Sequence, residues 1–372
     1  MKIFVFGSSL TSTYWNGAAT YYRGIYKHLH RRGHSIIFAE PDIYGRQNNR
    51  DISELDYADV RIYRTPGDIP ALLNEAAQSE LVIKHSGVGA ADELLEQAVL
   101  ACRSGRTSVI FWDVDAPATL ARLANVPKDP FRKLIPEYDL ILTYGGGQPI
   151  VDHYLRLGAK ACFPIYNALD PDTHHPVPAD PELGCDLAFV AHRLPDREQR
   201  AEKFFFHAAL LAPEKSFILG GEGWGGKTLP SNVRWIGHVP SGGHNGVNCS
   251  ARMVLNINRD SMAEVGFSPP TRVFEAAAAG ACVITDVWAG IERFFVPGLE
   301  ILPAASAHDV VSYLRQIGAT DAARIGSAMH HRALREHTYE LRAAQVDAIL
   351  QSSLGDSESE LPAHPAALYS QA

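Results

Sequence analysis

Short apolar patterns typical of buried strands alternate with amphipathic helical patterns along this chain, and the alternation occurs twice. Strand, helix, strand order predicts a parallel sheet with helices on both faces, because parallel strands need a crossover connection. A proline-rich stretch at residues 164–178 separates the two series. The sequence therefore predicts an α/β protein with two Rossmann-like, doubly wound domains.

The predicted elements divide the chain as follows. Strands are expected at 2–6, 34–40, 61–64, 81–84, 108–112 and 140–143, then at 186–191, 216–219, 233–236, 253–257, 282–285 and 300–302. Helices are expected at 18–31, 69–77, 91–103, 308–317 and 321–351. We expect domains at 1–166 and 167–335, a closing helix at 336–351 and a disordered polar tail at 352–372.

Composition excludes several classes of protein. The net charge is −8 with no cluster of Lys or Arg, which argues against nucleic acid as a partner. The five cysteines show no C-x-x-C spacing, so neither a disulfide framework nor a structural zinc site is expected. The first apolar run is too short for a signal peptide, and no stretch has the length of a membrane span. These features predict a cytoplasmic protein.

The segment 266–286 is the most informative part of the sequence. Ser268 is expected to cap a helix that begins after two prolines, with Thr271 in its first turn, and both are candidate ligands of a nucleotide donor. Four alanines let this helix pack closely, and Gly280 is expected to end it. A buried strand follows, so the segment predicts a helix whose amino end lies beside a sheet.

Arg272 and Glu275 lie in the first two turns of that helix. Free N–H groups and the helix dipole attract anions at this position. Arg272 is therefore a candidate phosphate ligand, and Glu275 is a candidate ligand for the vicinal hydroxyls of a ribose. A salt bridge between the two side chains in an ordinary αβ unit is the alternative interpretation.

Further polar residues follow other strands of the second half. Arg193 and Arg197 flank the start of a helix, where guanidinium groups can bind a diphosphate, although both can also be surface charges. Trp224, in a glycine-rich loop, can stack on a base. Asn258 and Arg259 end the strand before Arg272 and are expected to lie close to it.

In the first half, the loop at residues 7–17 follows the first strand and precedes a helix. It lacks the G-x-G-x-x-G and P-loop patterns, which argues against NAD and ATP as ligands. Asn16, Gly17 and Thr20 are candidate ligands for a phosphate or a sugar. A helix cap with no ligand explains them equally well.

Three candidate catalytic residues also follow strands of the first half. Asp113 and Asp115 are two positions apart on an extended segment, so their side chains point the same way, and either can act as a general base. Asp115 can instead cap the next helix. His85 can bind or deprotonate a hydroxyl, or can be a satisfied core histidine. No third ligand accompanies the two carboxylates, so no metal site is predicted.

These motifs resemble the GT-B glycosyltransferases, which have two Rossmann-like domains, and within them the CgeB-like group with its glycosyl transferase group 1-type C-terminal domain. The resemblance extends over nearly the whole chain except the tail and rests on residues 258–262, 267–275, 290–292, 297–300 and 336–342, and more loosely on 16–21, 112–117 and 144–147.

The resemblance implies two sheets that face a central cleft. It also implies metal-independent transfer of a sugar, of the hexosyl type, from a nucleoside-diphosphate sugar in the second domain to an acceptor in the first. A UDP-sugar is the expected co-substrate, and no separate cofactor is expected. In this family a glutamate at the place of Glu275 binds the ribose, and basic residues like Arg193 bind the diphosphate. One departure is that Glu264 precedes Glu275 by eleven positions, where many retaining members have two glutamates eight positions apart.

Two other functions are compatible with the same motifs. A nucleotide-sugar epimerase or hydrolase on this fold would convert the sugar nucleotide without an acceptor. A non-catalytic nucleotide-sugar-binding protein would bind it without turnover.

Overall fold

The computed structural model describes residues 1–14 and 16–354. The described chain divides into two compact units: unit 1 contains the described residues of Met1–Tyr166 together with Tyr339–Leu354, and unit 2 is Asn167–Thr338. Each unit is built on one sheet of parallel strands covered by helices. Within the described ranges, no helix combines the length and the apolar character that crossing a membrane requires.

Unit 1 contains a seven-stranded sheet with the order β3-β2-β1-β4-β5-β6-β7. Its strands are β1 Lys2–Phe6, β2 Ser35–Pro41, β3 Asp59–Tyr63, β4 Leu81–His85, β5 Ser108–Asp113, β6 Leu140–Thr143 and β7 Cys162–Pro164. Its helices are α1 Ala19–Arg31, α2 Ile69–Ala76, α3 Asp92–Ala98, α4 Ala116–Asn125, α5 Phe131–Leu134, α6 Gly147–Arg156 and, from the end of the chain, α14 Tyr339–Leu354.

The last helix, α14, packs against α1 within unit 1. Gly24 of α1 faces the ring of Tyr339 so closely that a Cβ atom there would lie 2.2 Å from it. At the other end of the contact, Asp347 accepts hydrogen bonds from Arg32 at 2.8 Å and is paired with His34 at 3.2 Å. Close packing at one end and ion pairing at the other fix α14 on unit 1.

Unit 2 contains a six-stranded sheet with the order β10-β9-β8-β11-β12-β13. Its strands are β8 Cys185–Val190, β9 Phe217–Gly220, β10 Val233–Trp235, β11 Ala251–Asn256, β12 Val283–Asp286 and β13 Leu302–Ala304. Its helices are α7 Pro195–Ala201, α8 His207–Leu211, α9 His244–Ser250, α10 Asp260–Val265, α11 Thr271–Ala278, α12 Ala307–Gln316 and α13 Ala319–Glu336, with a π-helical turn, Glu202–Phe206, joining α7 to α8.

The predicted α/β architecture is confirmed. Every predicted strand overlaps an observed strand, and Gly280, with φ at +74°, ends α11 as expected. The sequence analysis missed β7, a three-residue edge strand that ends in proline and carries little periodic signal.

One predicted helix is wrong in extent. The pattern at 321–351 is two helices, α13 and α14, that belong to different units. Between them the backbone carbonyl of His337 accepts a hydrogen bond from Leu169 at 2.9 Å, and Thr338 pairs with Leu169 in a short parallel bridge. Residues 352–354 of the predicted tail belong to α14, and the rest of that tail lies outside the described residues.

Candidate functional site

The strand order of unit 2 reverses between the neighbouring strands β8 and β11. In open parallel sheets, ligands bind at such a reversal, outside the carboxyl ends of the strands. The chain after β8 leads to Arg197 in α7, and the chain after β11 leads to Arg259 at the start of α10. Arg272, from the first turn of α11, extends to the end of the same strand β11. We call Arg197, Arg259 and Arg272 the arginine cluster.

Arg197 is the most unusual member of the arginine cluster. It is only 8% exposed, and its burial, followed by the positive charges of Arg272 and Arg259, lowers its pKa to about 9. Its guanidinium donates one long hydrogen bond, 3.4 Å, to the carbonyl of His192. Within the described ranges no carboxylate forms an ion pair with it. A buried and unneutralised cation of this kind favours binding of an anion.

Two asparagine side chains, Asn256 and Asn258, continue the hydrogen bonds of the arginine cluster. Arg272 donates to Asn256 Oδ1 at 2.7 Å, and Asn256 donates to Asn258 Oδ1 at 3.2 Å. Asn258 is 1% exposed, and its Nδ2 has no hydrogen-bond partner in the described part of the chain; the same is true of Arg197 Nε. Because unsatisfied buried donors are costly, these two groups point to an acceptor supplied by a ligand.

Two charges of this region are already neutralised by carboxylates. Arg259 of the arginine cluster forms an ion pair with Asp196. Arg200 forms one with Asp286, whose carboxylate also accepts a hydrogen bond from the backbone N–H of Asn258 at 3.2 Å. These pairs hold the end of α7 and the start of α10 on the sheet, whereas Arg197 has no ion pair among the residues that the structure describes.

Glu275 lies one turn along α11 and contacts two histidines. Its Oε2 is 3.2 Å from Nδ1 of His244, and its Oε1 is 3.7 Å from Nε2 of His174. Burial alone would raise the pKa of Glu275, but the hydrogen bond from His244 and the charge of His174 lower it to about 2. Burial would lower the pKa of His244, and the bond to Glu275 raises it instead. Among the described residues, these three side chains have separations that suit a metal ion.

Ser268 does not cap α11 as predicted. Its hydroxyl donates to the carbonyl of Gly266 at 3.0 Å, and Pro270 occupies the N-cap position. Thr271 donates to Asn167 Oδ1 at 3.2 Å, and the amide of Asn167 donates to the carbonyl of Pro269 at 3.0 Å. Asn167 therefore fixes the start of this helix, because the two prolines cannot donate hydrogen bonds of their own.

The prediction that Trp224 stacks on a base is wrong. Trp224 is 1% exposed, its indole N–H donates to the carbonyl of Ala191 at 2.8 Å, and its ring packs on Phe206 in the core of unit 2. Arg193 lies over the Trp224 ring and pairs with Glu198, so its guanidinium is already neutralised. The structure thus separates Arg193 and Trp224 from the buried donors of the site.

In unit 1, Asp113 is enclosed rather than available. It is 0% exposed and accepts hydrogen bonds from Ser86 at 2.7 Å, Thr119 at 3.1 Å and the hydroxyl of Tyr154. Its pKa is raised by burial, against the lowering effect of those bonds. This arrangement contradicts a direct contact with an acceptor and makes Asp113 a residue that fixes the strand end.

His85 is likewise part of the core of unit 1. It is 0% exposed, Nε2 is hydrogen-bonded to the hydroxyl of Tyr26, and the rings of Tyr22 and Trp112 lie 4.4 Å and 5.3 Å away between centroids. Burial, followed by the charge of Lys84, lowers its pKa well below the ordinary value. The alternative interpretation, a core histidine, explains the burial of the ring, although Nδ1 has no hydrogen-bond partner among the described residues.

The candidate ligands of the loop after β1 differ in their availability. Asn16 is buried and uses its whole amide, accepting from Ser8 and donating to the carbonyls of Ser9 and Ser12, so it holds the loop together. Gly17 is exposed, and Thr20 is half-buried in the first turn of α1. Asp115 is half-buried at the N-cap of α4 without a capping bond from its side chain. Gly17, Thr20 and Asp115 remain predicted acceptor or phosphate ligands.

Comparison with protein families gives a match to part of the chain. Residues 197–348 match the family described as glycosyl transferase-like. The matched region begins at Arg197 and includes Arg272 and Glu275. No curated protein matches the chain.

Solved structures resemble nearly the whole chain. HepE (Alr3699) from Anabaena in complex with UDP-glucose is 13% identical, with 95% of this chain and 100% of that chain covered and a TM-score of 0.68. The fold is GT-B. Sucrose-phosphate synthase from Thermosynechococcus elongatus is 14% identical over 96% of this chain and 100% of its own, at 0.65. An alpha-glucosyltransferase in complex with UDP-glucose and DNA containing an abasic site is 11% identical over 94% and 99%, at 0.69. The family match thus concerns residues 197–348, and the likeness to these structures shows the fold.

Sequence reasoning brought together Arg197, Asn258, Arg259, Arg272 and Glu275, which the structure also places at one edge of the sheet. It missed His174, His244 and Asn256. His174 lies in the proline-rich stretch at 164–178, and His244 follows two glycines, so neither is next to the end of a predicted strand. Asn256 precedes the motif at 258–262 by two positions and lies within the predicted strand at 253–257.

Proposed function

We propose that the protein transfers a sugar of the hexosyl type from a nucleoside-diphosphate sugar, most simply a UDP-sugar, to an acceptor. Unit 2, residues 167–338, is the donor domain in this proposal, and unit 1 is the acceptor domain. The observation that carries it is the buried and unneutralised guanidinium of Arg197 beside Arg272, at the strand-order reversal of the sheet.

The charge of the departing nucleoside diphosphate explains why these groups are needed. Breaking the glycosidic phosphate bond develops negative charge on the diphosphate, and donors fixed in advance stabilise that charge most effectively. Arg197 and Arg272 supply cationic donors, and Nδ2 of Asn258 supplies a neutral one. We propose that these side chains replace a metal ion in the transfer reaction.

Glu275 is the proposed ribose ligand. Its low pKa keeps it ionised, so both oxygens are able to accept hydrogen bonds from vicinal hydroxyls. The family resemblance implies the same role, and HepE is described as a complex with UDP-glucose. Arg193, paired with Glu198, is at most an outer contact of the diphosphate in this arrangement.

Membership of the CgeB-like group and a cytoplasmic location are also part of the proposal. The motifs at 258–262 and 267–275 support the first. All five cysteines are unpaired, which is consistent with a reducing compartment.

A thermal-shift panel with UDP, GDP, TDP, CMP, ADP and NAD, each with and without EDTA, tests the donor site. A ligand at a hundred times its dissociation constant stabilises a fold by about 2.7 kcal/mol. We expect a selective rise in Tm with UDP that EDTA does not change. The absence of a shift with every diphosphate would contradict the donor site.

A second assay distinguishes transfer from the other two functions. The UDP-sugar that gives a shift is incubated without and then with a panel of sugar and peptide acceptors. We expect release of UDP to depend on the acceptor. An epimer or free UDP formed without any acceptor would instead indicate an epimerase or a hydrolase, and binding without turnover would indicate a sensor.

A further inference from the structure

A compact group of metal-ligating side chains lies within unit 2 around Glu275. His174 comes from a turn before β8, the first strand of unit 2. His244 comes from the start of α9 and Glu275 from α11. One ligand atom from each residue lies within 4.8 Å of the others. Glu275 is 7% exposed and His174 is 2% exposed, while the side chain of His244 is 26% exposed.

His174 has an unsatisfied imidazole. Neither Nδ1 nor Nε2 has a hydrogen-bond partner among residues 1–14 and 16–354, although the ring is almost completely buried. A buried polar side chain normally finds a partner, because leaving it unpaired costs free energy. The Nε2 atom points to within 3.7 Å of the carboxylate of Glu275, and a cation between them would satisfy both groups.

The segments that carry the two histidines are fixed before any ligand binds. Asp170 holds the turn of His174: its carboxylate accepts from the N–H of Asp172 at 3.0 Å, and its carbonyl accepts from the N–H of His174 at 2.9 Å. Asn245, next to His244, donates to the carbonyl of Thr173 at 3.0 Å and so ties α9 to that turn.

His244 presents Nδ1 to the carboxylate of Glu275 at 3.2 Å, from the first position of α9.

We propose that His174, His244 and Glu275 bind one divalent transition-metal ion of the Zn²⁺ class. Two imidazoles and a carboxylate are the ligands of many three-residue zinc sites, and imidazole favours Zn²⁺ over Mg²⁺ or Ca²⁺. Tetrahedral ligands about 2.0–2.1 Å from zinc are roughly 3.4 Å apart. The two histidines lie 3.2 Å from Oε2 and 3.7 Å from Oε1 of Glu275, and the three ligand atoms lie within 4.8 Å of one another, so a small adjustment of the side chains brings them to that separation. Three protein ligands would leave one tetrahedral position for a water molecule.

The ion has a consequence for donor binding, and this part rests on the proposed function. The ion uses the carboxylate of Glu275, which the ribose of the donor also needs. We therefore expect Zn²⁺ to inhibit donor binding rather than to support catalysis. The site then makes the enzyme sensitive to free zinc.

Titration of the full-length, chelator-treated protein with Co²⁺ tests the site, because tetrahedral Co²⁺ absorbs visible light strongly. We expect one equivalent to give a tetrahedral spectrum without thiolate charge-transfer absorption, and Zn²⁺ to displace it. His174→Ala and His244→Ala should weaken Co²⁺ binding at least about tenfold. His175→Ala is the matched control, since His175 is adjacent and exposed, and it should bind Co²⁺ as the wild type does.

Several results would overturn the proposal: no tetrahedral Co²⁺ spectrum, a spectrum with thiolate ligands, or equal loss of binding in His175→Ala. Circular dichroism checks that the variants fold. If a histidine variant does not fold, Glu275→Gln, which keeps the shape of the side chain, replaces it and should also weaken Co²⁺ binding.

A competition arm separates this inference from the proposed function. We expect saturating Zn²⁺ to reduce the UDP-induced rise in Tm of the wild type and to leave it unchanged in His174→Ala. No UDP shift in the metal-free protein would refute the donor site and leave the Co²⁺ result standing. A UDP shift that Zn²⁺ does not reduce in a protein that binds Co²⁺ would refute the competition alone.

Discussion

Replacing Arg197 by methionine should stabilise the unliganded protein and weaken its binding of UDP. In the folded state burial lowers the pKa of Arg197 to about 9 from 12.5, so at neutral pH the guanidinium stays charged but is less stable in the folded protein than in the unfolded chain. That difference corresponds to about 5 kcal/mol. Part of the packing and the bond to His192 are lost in the variant. Even replacing a buried ion pair by hydrophobic residues stabilises proteins by only about 1–4 kcal/mol. We expect a gain of about 2 kcal/mol in the free energy of unfolding.

The same substitution removes a charged donor from the proposed diphosphate site. A hydrogen bond to a charged group contributes about 1.5–3 kcal/mol, so the dissociation constant for UDP should rise roughly ten- to a hundred-fold. Scanning fluorimetry measures both effects. For a unit of this size, each kcal/mol changes Tm by about 2–4 °C, so the Tm without ligand should rise by several degrees.

Arg324→Met is the matched control. Arg324 lies on the exposed side of α13 in the same unit and forms an exposed ion pair with Asp321 at 3.4 Å, so neither Tm nor the affinity for UDP should change measurably. If Arg197→Met lowers the Tm by several degrees, the guanidinium is compensated in the free protein and our electrostatic reasoning is wrong. If the variant binds UDP as tightly as the wild type does, Arg197 is not a diphosphate ligand.

Three other substitutions test separate parts of the structure. Glu275→Gln should weaken UDP binding about tenfold, roughly 1.4 kcal/mol, while 2′,3′-dideoxy-UDP should bind both proteins equally; equal loss for the two ligands in calorimetry would exclude a ribose contact. Trp224→Phe should destabilise the protein by about 1–3 kcal/mol in urea denaturation yet leave the affinity for UDP within twofold, because the indole is a core group. Asp347→Asn should destabilise unit 1 by about 1 kcal/mol at pH 7. Burial alone would raise the pKa of Asp347, but Arg32 and His34 lower it. The contribution of Asp347 to the free energy of unfolding is therefore present above the ordinary aspartate pKa and is lost as the pH falls through the lowered value. A difference in stability between variant and wild type that persists at pH 2 would refute this.

The fold could be predicted from the sequence because its signals are local. Each strand is a short apolar run, each helix has its own periodicity, and their alternation by itself requires parallel crossovers. Gly280 marks the end of α11 in the same way, since a glycine with positive φ is a local requirement of the backbone. The break between α13 and α14 has no such signal. It depends on the pairing of Thr338 with Leu169, which lie far apart in the sequence.

The residues of the candidate site also differ in whether a local sequence signal predicts them. The sequence by itself determined that Arg197, Asn258, Arg272 and Glu275 follow carboxyl ends of parallel strands or begin a helix beside them, and the fold then necessarily brings them to one edge.

Only the tertiary structure decided which polar groups at the strand ends are exposed and which are enclosed. Asp113, His85 and Trp224 have the same sequence context as ligand-binding residues, yet each is buried and hydrogen-bonded to a neighbour within its own unit. His174 shows the converse, a residue of an irregular segment placed against Glu275. Burial and pairing are sums of contacts between distant parts of the chain, and no local pattern contains them.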